Sequence, residues 1–325
     1  MNRRTALIGL ALAGLGFASL PAMAADYPSR NVTIVVPYPA GGPTDELARV
    51  VADSLSKQMN QSFVVENVTG GGTIIATNKV VKSSPDGYML LLHNLQISAN
   101  PTLYKSLPFD TEKDLKPVIF INRNPLVLIA RKDLPANNLE EFLALMKKQT
   151  IKAAIPGFGA TGHLATSLLA QEAHAKVDMI PYRGAAPALN DILGGHVDVF
   201  FATPQQIVQQ VKAGNVKALG MTSKQPLAEL PNVKSFVDAL GPKLEFHYWQ
   251  ALFAPSGTPQ PVIDKLNTAI SKMMDDPKVK KRWADEGVEG FPAEDRSVEA
   301  GRKIMKSEME RWGKVIKDNN IHLEQ

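Results

Sequence analysis

Short apolar runs rich in β-branched residues recur along this chain. Between them lie longer stretches whose apolar residues return at helical spacing. The runs Val32–Val36, Ser62–Asn67, Tyr88–Leu92, Ile151–Ile155, Val177–Tyr182, Val197–Phe201 and Lys217–Thr222 read as buried strands. Helices are predicted over Thr73–Lys82, Ile97–Tyr104, Leu139–Met146 and Pro187–Leu193. Further helices follow the turns at Gly41-Gly42, Gly157–Gly162 and Thr203-Pro204. Near the end, Val262, Ile263, Leu266, Ile270 and Met274 line one helix face, and Met305, Met309, Trp312 and Ile316 line another, both as core packing. Strands alternating with helices predict an α/β fold with mostly parallel sheets.

Two segments break the rhythm. Val118–Arg131 is extended and apolar but interrupted by Asn122, Arg123, Asn124 and Pro125, and Glu245–Ala254 is a second long run. Each suits a crossover between lobes, which gives residues 25–124 plus 251–325 as one lobe and 125–250 as the other.

The first 24 residues stand apart. Arg3 and Arg4 precede the apolar run Ala6–Leu20 and the small-residue site Ala22-Met23-Ala24, the pattern of a secretory signal peptide. The paired arginines leave general and twin-arginine export both open. Its removal leaves 301 of the 325 residues and lowers the net charge from +4 to +2. The near balance, without a basic block, argues against a nucleic-acid partner. The sequence contains no cysteine, which excludes disulfides, thiolate metal sites and cysteine nucleophiles.

The chemistry concentrates at strand-to-helix turns. In Val35-Val36-Pro37-Tyr38-Pro39-Ala40-Gly41-Gly42-Pro43-Thr44-Asp45 a strand stops at prolines, glycines turn the backbone, and Thr44 or Asp45 is placed to cap a helix. Similar turns occur at Gly70–Thr73, Gly157–His163, Arg183–Ala186 and Thr203-Pro204. Free N–H groups and the positive dipole end make such helix starts suited to a carboxylate or phosphate. In open parallel sheets, ligands sit beyond the carboxyl ends of the strands, so turns from two lobes are expected to face one cleft.

Gly157-Phe158-Gly159-Ala160-Thr161-Gly162 also fits G-x-G-x-x-G, with Asp178 downstream, which suggests an exported NAD-dependent oxidoreductase. Pro156 at the strand end, Asp178 at a strand start and export from the cytoplasm weigh against it. His163 would serve an exported hydrolase only with a nucleophile motif, and no G-x-S-x-G or H-E-x-x-H pattern is present. It reads better as a hydrogen-bond donor or a packed residue. His93-Asn94 ends a strand where it can line the cleft, Asp45 can cap or fix a water, and Arg183 is a cation placed in a turn. Asp191 and Asp198 read as structural.

The motif Pro37–Asp45 resembles the first-loop signature of the Bug-type receptors of tripartite tricarboxylate transporters. So do Val64-Val65-Glu66-Asn67 with Gly70-Gly71-Gly72, Ser84–Tyr88, Asn100–Tyr104, Gly159–Leu164, Pro181–Leu189, Gly194–Asp198 and Trp249–Pro259. The resemblance runs through the whole chain after the signal. It implies a two-lobed periplasmic binding protein of type II-like fold, without catalysis, cofactor or metal. It would close on a small di- or tricarboxylate or aromatic acid about a hinge near 121–125 and 247–251. The protein would act as a monomer and deliver its ligand to large and small membrane permease subunits, or signal to a membrane kinase. Carried onto this chain, the carboxylate is held by Tyr38, Ala40, Gly41, Thr44 and Asp45 from one lobe. Gly159, Ala160, Thr161 and His163 serve from the other. His93, Asn94, Arg183 and Thr203 are nominated for the far end of the ligand. Pro43 removes one N–H at the first helix start, and Val68-Thr69 stands where the family has Arg-Pro before its glycines.

Overall fold

A computed structural model describes residues 27–318, 320 and 321; the expected signal peptide lies outside the described residues. The first part of the chain runs β1 (Val32–Val36), α1 (Pro43–Met59), β2 (Phe63–Asn67), α2 (Ile74–Val81), β3 (Met89–Asn94), α3 (Gln96–Leu103), α4 (Thr111–Asp114) and β4 (Leu115–Asn124). The second runs β5 (Val127–Arg131), α5 (Leu139–Met146), β6 (Ile151–Ile155), α6 (Thr161–Glu172), β7 (Val177–Pro181), α7 (Ala185–Leu193), β8 (Val199–Ala202), α8 (Pro204–Lys212), β9 (Val216–Met221) and α9 (Phe236–Leu240). The last runs β10 (Tyr248–Pro255), α10 (Gln260–Asp275), α11 (Pro277–Asp285), β11 (Glu289–Gly290) and α12 (Val298–Asp318).

Two sheets result, one in each lobe. The first has the order β11, β4, β10, β3, β1, β2, and the second β7, β6, β8, β5, β9. The sheets are mixed rather than mostly parallel. Strands joined through helices, β1 with β2 and β3 and β6 with β7 and β8, pair parallel. The strands leading into or out of the crossovers pair antiparallel: β4 and β10 with each other and with their neighbours, β5 with β8 and β9. The reason is directional, because a chain that leaves one sheet and returns enters it against the strands already laid down.

The buried strand cores follow the apolar runs. Val32 and Ile34 to Val36 are fully buried, as are Leu90 to Leu92. The stripes on α10 and α12 pack inward as the spacing predicts, with Trp312 and Ile316 fully buried and Met309 partly so. Each such fully buried large side chain contributes about 1.5–3 kcal/mol from leaving water. Three helices, α4, α9 and α11, were not legible from periodicity. α4 and α11 are short and highly charged, α11 offering only Val279 and the buried Trp283 as an apolar pair, and each has an aspartate cap. Asp110 accepts from the N–H of Glu112 and Lys113, and Asp276 from that of Lys278.

The lobes touch across the space between the sheets. A Cβ at Gly184 would lie 3.2 Å from Pro39 Cγ, and one at Gly287 would lie 3.0 Å from Pro204 Cβ.

Candidate functional site

The β1–α1 turn forms one wall. Gly42 is the N-cap and Pro43 the first helical residue, where its missing N–H leaves no bond unmade. Thr44 and Asp45 therefore lie inside the first turn, and neither is the N-cap residue. Asp45 instead reaches back. Its carboxylate accepts the Gly41 N–H at 3.0 Å, two bonds from Arg49 at 2.9 Å and one from Asn67 at 2.9 Å. Burial alone would raise its pKa, but the bonds from Arg49, the Gly41 amide and Asn67 hold it below the usual value. Gly41 has φ +80, a conformation that favours glycine although no atom crowds its Cβ position.

Behind this turn lies a buried polar network. The Tyr38 hydroxyl donates to Asn94 Oδ1 at 2.8 Å and to Gln96 Oε1 at 3.1 Å. Asn94 Nδ2 donates to Thr44 Oγ1 at 3.2 Å and to the Tyr248 hydroxyl at 3.1 Å, and these two oxygens lie 2.9 Å apart. Burial raises the Tyr38 pKa well above normal and pushes Tyr248 up to about 12, so both phenols are neutral. Tyr248 is the first residue of the returning crossover strand and faces Asn124 in register, so the network ties the turn to the crossover.

The β6–α6 turn forms the opposite wall. Ala160 is the N-cap of α6 and has no side-chain cap. His163 Nδ1 accepts the Gly159 N–H at 3.0 Å, and Phe158 packs edge-on against the ring at 5.5 Å. Burial lowers the His163 pKa to about 4, so the ring is neutral and bonds as an acceptor rather than the expected donor. Thr161 is 5 % exposed, and its Oγ1 is buried without a partner. At the start of α8, the Thr203 N–H and hydroxyl both reach Gln206 Oε1, at 3.4 and 3.2 Å.

These walls enclose a cleft with two connected chambers. The inner one is a small cavity of about 70 Å³. Tyr38, Ala40, Thr44 and Asn94 line it from one lobe, Tyr248 from the start of the returning crossover strand, and Ala160, Thr161, Gly184 to Pro187, Phe200, Phe201, Thr203 and Gln206 from the other lobe. The outer chamber shares Tyr38, Pro39, Pro156, Ala160 and Gly184 with it and adds Gly70 to Thr73, Gln96, Tyr104, Phe158, Tyr182 and Arg183.

Of the residues predicted for the site, Tyr38, Ala40, Thr44, Asn94, Ala160, Thr161 and Thr203 line the inner chamber, and Arg183 lines the outer. Gly41, Asp45, His93, Gly159 and His163 do not line either one. Asp45 and His163 are turned inward to fix Gly41 and Gly159. His93 is fully buried, accepts the Asn94 N–H at 2.8 Å and packs its ring 5.6 Å from that of Tyr38; burial lowers its pKa to about 3. These three side chains brace lining residues from behind. The sequence reasoning missed Tyr248, Gln206, Gln96 and Tyr104. Gln206 had a readable signal, since Thr203-x-x-Gln206 is a capping-box spacing. Tyr248 had only a lone hydroxyl in an apolar crossover run.

The starts of α1, α6 and α7 all border the inner chamber, and first-turn N–H groups have no partner inside their own helices. Among the described residues, no charged side chain lines that chamber. The arrangement can bind an anion through fixed dipoles and hydroxyls.

Two lobes joined by crossover strands, with opposed helix starts at their junction, define a two-lobed solute-binding protein. The chain belongs to the tripartite tricarboxylate transporter receptor family, whose model matches residues 47–321. Among solved structures, the periplasmic binding protein BugD is 34% identical with a TM-score of 0.86, covering 91% of this chain and 100% of that one. An R. palustris protein solved with adipate is 30% identical, TM-score 0.86, over 92% of this chain and 100% of the other. MatC from Rhodopseudomonas palustris with bound malate is 31% identical, TM-score 0.84, over 89% and 100%. The Bug-type resemblance read from the motifs thus stands. The family is one of receptors, and the oxidoreductase and hydrolase readings fall with that.

Proposed function

We propose that this protein is a periplasmic receptor that closes on a small carboxylate and delivers it to the membrane subunits of a tripartite tricarboxylate-type transporter. Residues 1–24 direct its export in this reading. The lobes comprise 25–124 with 251–325 and 125–250, and they hinge where β4 passes to β5 and where the chain returns into β10. The ligand carboxylate sits among Ala40, Thr44, Ala160, Thr161 and Thr203. The observation that carries the proposal is the convergence of three helix starts on a chamber that no charged side chain lines among the described residues, with the buried Thr161 hydroxyl left free. A buried hydroxyl without a partner is disfavoured unless a ligand or water completes it. Adipate and malate in related structures fit the same chemistry.

A thermal-shift screen of the purified protein against mono-, di- and tricarboxylates, aromatic acids and NAD tests this. A ligand at about 100 times its Kd should add about 2.7 kcal/mol and visibly raise Tm. A response to one class of acid supports the receptor, whereas a response to NAD alone would refute it.

A further inference from the structure

Helix α11 ends at a glycine that touches the other lobe. The Gly287 N–H donates to the Ala284 carbonyl at 3.1 Å and the Val288 N–H to the Trp283 carbonyl at 2.8 Å, with Gly287 at φ +68. This helix ending calls for a left-handed residue, usually glycine and sometimes asparagine. The ending alone would therefore accept a side chain, but the surroundings do not. A Cβ at Gly287 would lie 3.0 Å from Pro204 Cβ, 3.3 Å from Glu229 Oε2 and 3.5 Å from Leu227 Cδ1, all in the other lobe. Glu229 and Leu227 meet it with the tips of flexible side chains, whereas Pro204 meets it with a ring fixed at the first position of α8. The start of α8 stands between two spaces. Thr203 and Gln206 line the inner chamber, while Gln205 lines a separate cavity of about 180 Å³ with Asn122, Glu46, Lys278 and Trp283. Gln205 Oε1 and Asn122 Oδ1 are buried there without partners. No hydrogen bond or ion pair joins α8 to α11 among the described residues, so packing at Gly287 sets their spacing.

Resting on the receptor reading, we infer that Gly287 is a positioning residue: Pro204 comes to rest on its bare Cα when the lobes close, and the depth of that contact places Thr203 and Gln206 against the ligand. A side chain at Gly287 would hold Pro204 off by a few tenths of an ångström. Thr203, joined to Pro204 by the peptide bond, would move with it, away from the wall that carries Ala40 and Thr44. Hydrogen bonds weaken steeply as their geometry is lost. The hinge lets the lobes part slightly without any loss of fold, so the cost falls on the bound state and not on the free protein. The other side of the cleft repeats the contact with the lobes exchanged. Gly184, at φ +121, lies on Pro39, whose Cγ would be 3.2 Å from a Cβ there. Gly184 and Pro39 line both chambers, so a substitution at either disturbs the ligand directly. Gly287 lines neither and acts only through Pro204.

The test compares the parent, Gly287→Asn, Pro204→Gly and the double variant, each titrated by calorimetry with citrate, malate, adipate and benzoate and melted without ligand. Asparagine tolerates left-handed backbone, so the ligand-free Tm of Gly287→Asn should stay close to the parent's. Its affinity for whichever of these acids the parent binds should fall about tenfold, the scale of one lost hydrogen bond. In the Pro204→Gly background, which removes the opposing Cβ, the same substitution should cost less than about threefold. An equal loss in both backgrounds, no loss at all, or a fall in Tm without a loss of affinity overturns the inference and leaves the receptor standing. Binding of none of the four acids removes the carboxylate-receptor reading and the inference with it. A cross-link checks the contact itself. The sequence has no cysteine, and the two Cβ positions lie within about 1 Å of the ~3.8 Å separation a disulfide prefers. Pro204→Cys combined with Gly287→Cys should therefore lose both free thiols under a mild oxidant. Thiols that persist would show that the lobes do not meet at this point, which also overturns the inference.

Discussion

The two turns that face each other across the cleft are built on the same plan and finished differently. In the β1–α1 turn the main polar groups are already engaged. Asp45 collects bonds from Gly41, Arg49 and Asn67, and Thr44 belongs to the Asn94–Tyr248–Tyr38 network. In the β6–α6 turn, one inward bond from Gly159 to His163 holds the loop, and Thr161 Oγ1 has no partner. The first wall is preorganised by its own side chains. The second keeps polar capacity in reserve for what enters. Stability should thus reside in one wall and ligand dependence in the other.

The largest expected departure is Asp45→Ala. It removes a carboxylate whose side chain is only 3 % exposed and strips the partners from the Gly41 N–H and Asn67. Arg49 is 55 % exposed and can return to water. The expected loss is about 2 kcal/mol, on the scale of charge-assisted bonds that leave buried groups unmade. In a chain of this size that lowers Tm by roughly 3 °C. If this variant melted with the parent and lost only ligand affinity, the assignment of roles to the two walls would be reversed.

Acid attacks both walls through their histidines. His93 behind the first wall and His163 in the second have folded pKa values lowered from 6.5 to about 3 and about 4 by burial. His247 is lowered as well, by burial and then by Arg123. Above about pH 6.5 these rings are neutral in both states. Below it the unfolded chain takes protons that the fold refuses, so stability falls steadily toward the folded values. Moving from about pH 7 to about pH 5.5 should remove about 1 kcal/mol for each of His93 and His163. Urea melts at both pH values check the sum, and His163→Asn should flatten its share. Parallel pH profiles for parent and variant would mean that His163 is not held neutral by the second wall.

Much of the first wall was legible in the sequence, and the reason is local. Val32–Val36, the prolines, Gly41-Gly42 and the helix behind them are specified within one short stretch, and the strand limits match the apolar run. What failed there was the cap, because Pro43 takes the first helical position and shifts Thr44 and Asp45 inward. The wall's support was not legible. Tyr248 lies 204 residues from Thr44 and 154 from Asn94, and only the crossover geometry joins them. The second wall showed its backbone in Gly157–Gly162 but not the direction of His163, since an imidazole at a helix start can face the ligand or its own loop. The mixed sheets were hidden for a similar reason. Apolar runs show burial on both faces and carry no sign of strand direction.

Thr161→Ala probes the reserve in the second wall. Deleting a buried hydroxyl without a partner relieves its desolvation, so the free protein should be as stable as the parent or slightly more so. Affinity for the bound acid should fall about tenfold, near 1.4 kcal/mol. Calorimetric titration beside a ligand-free melt separates the two. A loss of stability without a loss of affinity would make Thr161 a packing residue.

Tyr248→Phe gives the smallest and most discriminating effect. The hydroxyl sits between Thr44 and Asn94, at 2.9 and 3.1 Å, but those two also bond each other at 3.2 Å. Its removal therefore leaves a shortened network rather than two stranded groups, and the expected loss is about 1 kcal/mol. The phenol also lines the inner chamber, so it is the place where the preorganised wall could itself touch the ligand. If Tyr248 only braces the turn, stability and affinity should fall together by a small factor, because a loosened Thr44 binds less well. If affinity falls tenfold while Tm barely moves, Tyr248 contacts the ligand, and the division between a braced wall and a reserved one must be redrawn around the crossover strand.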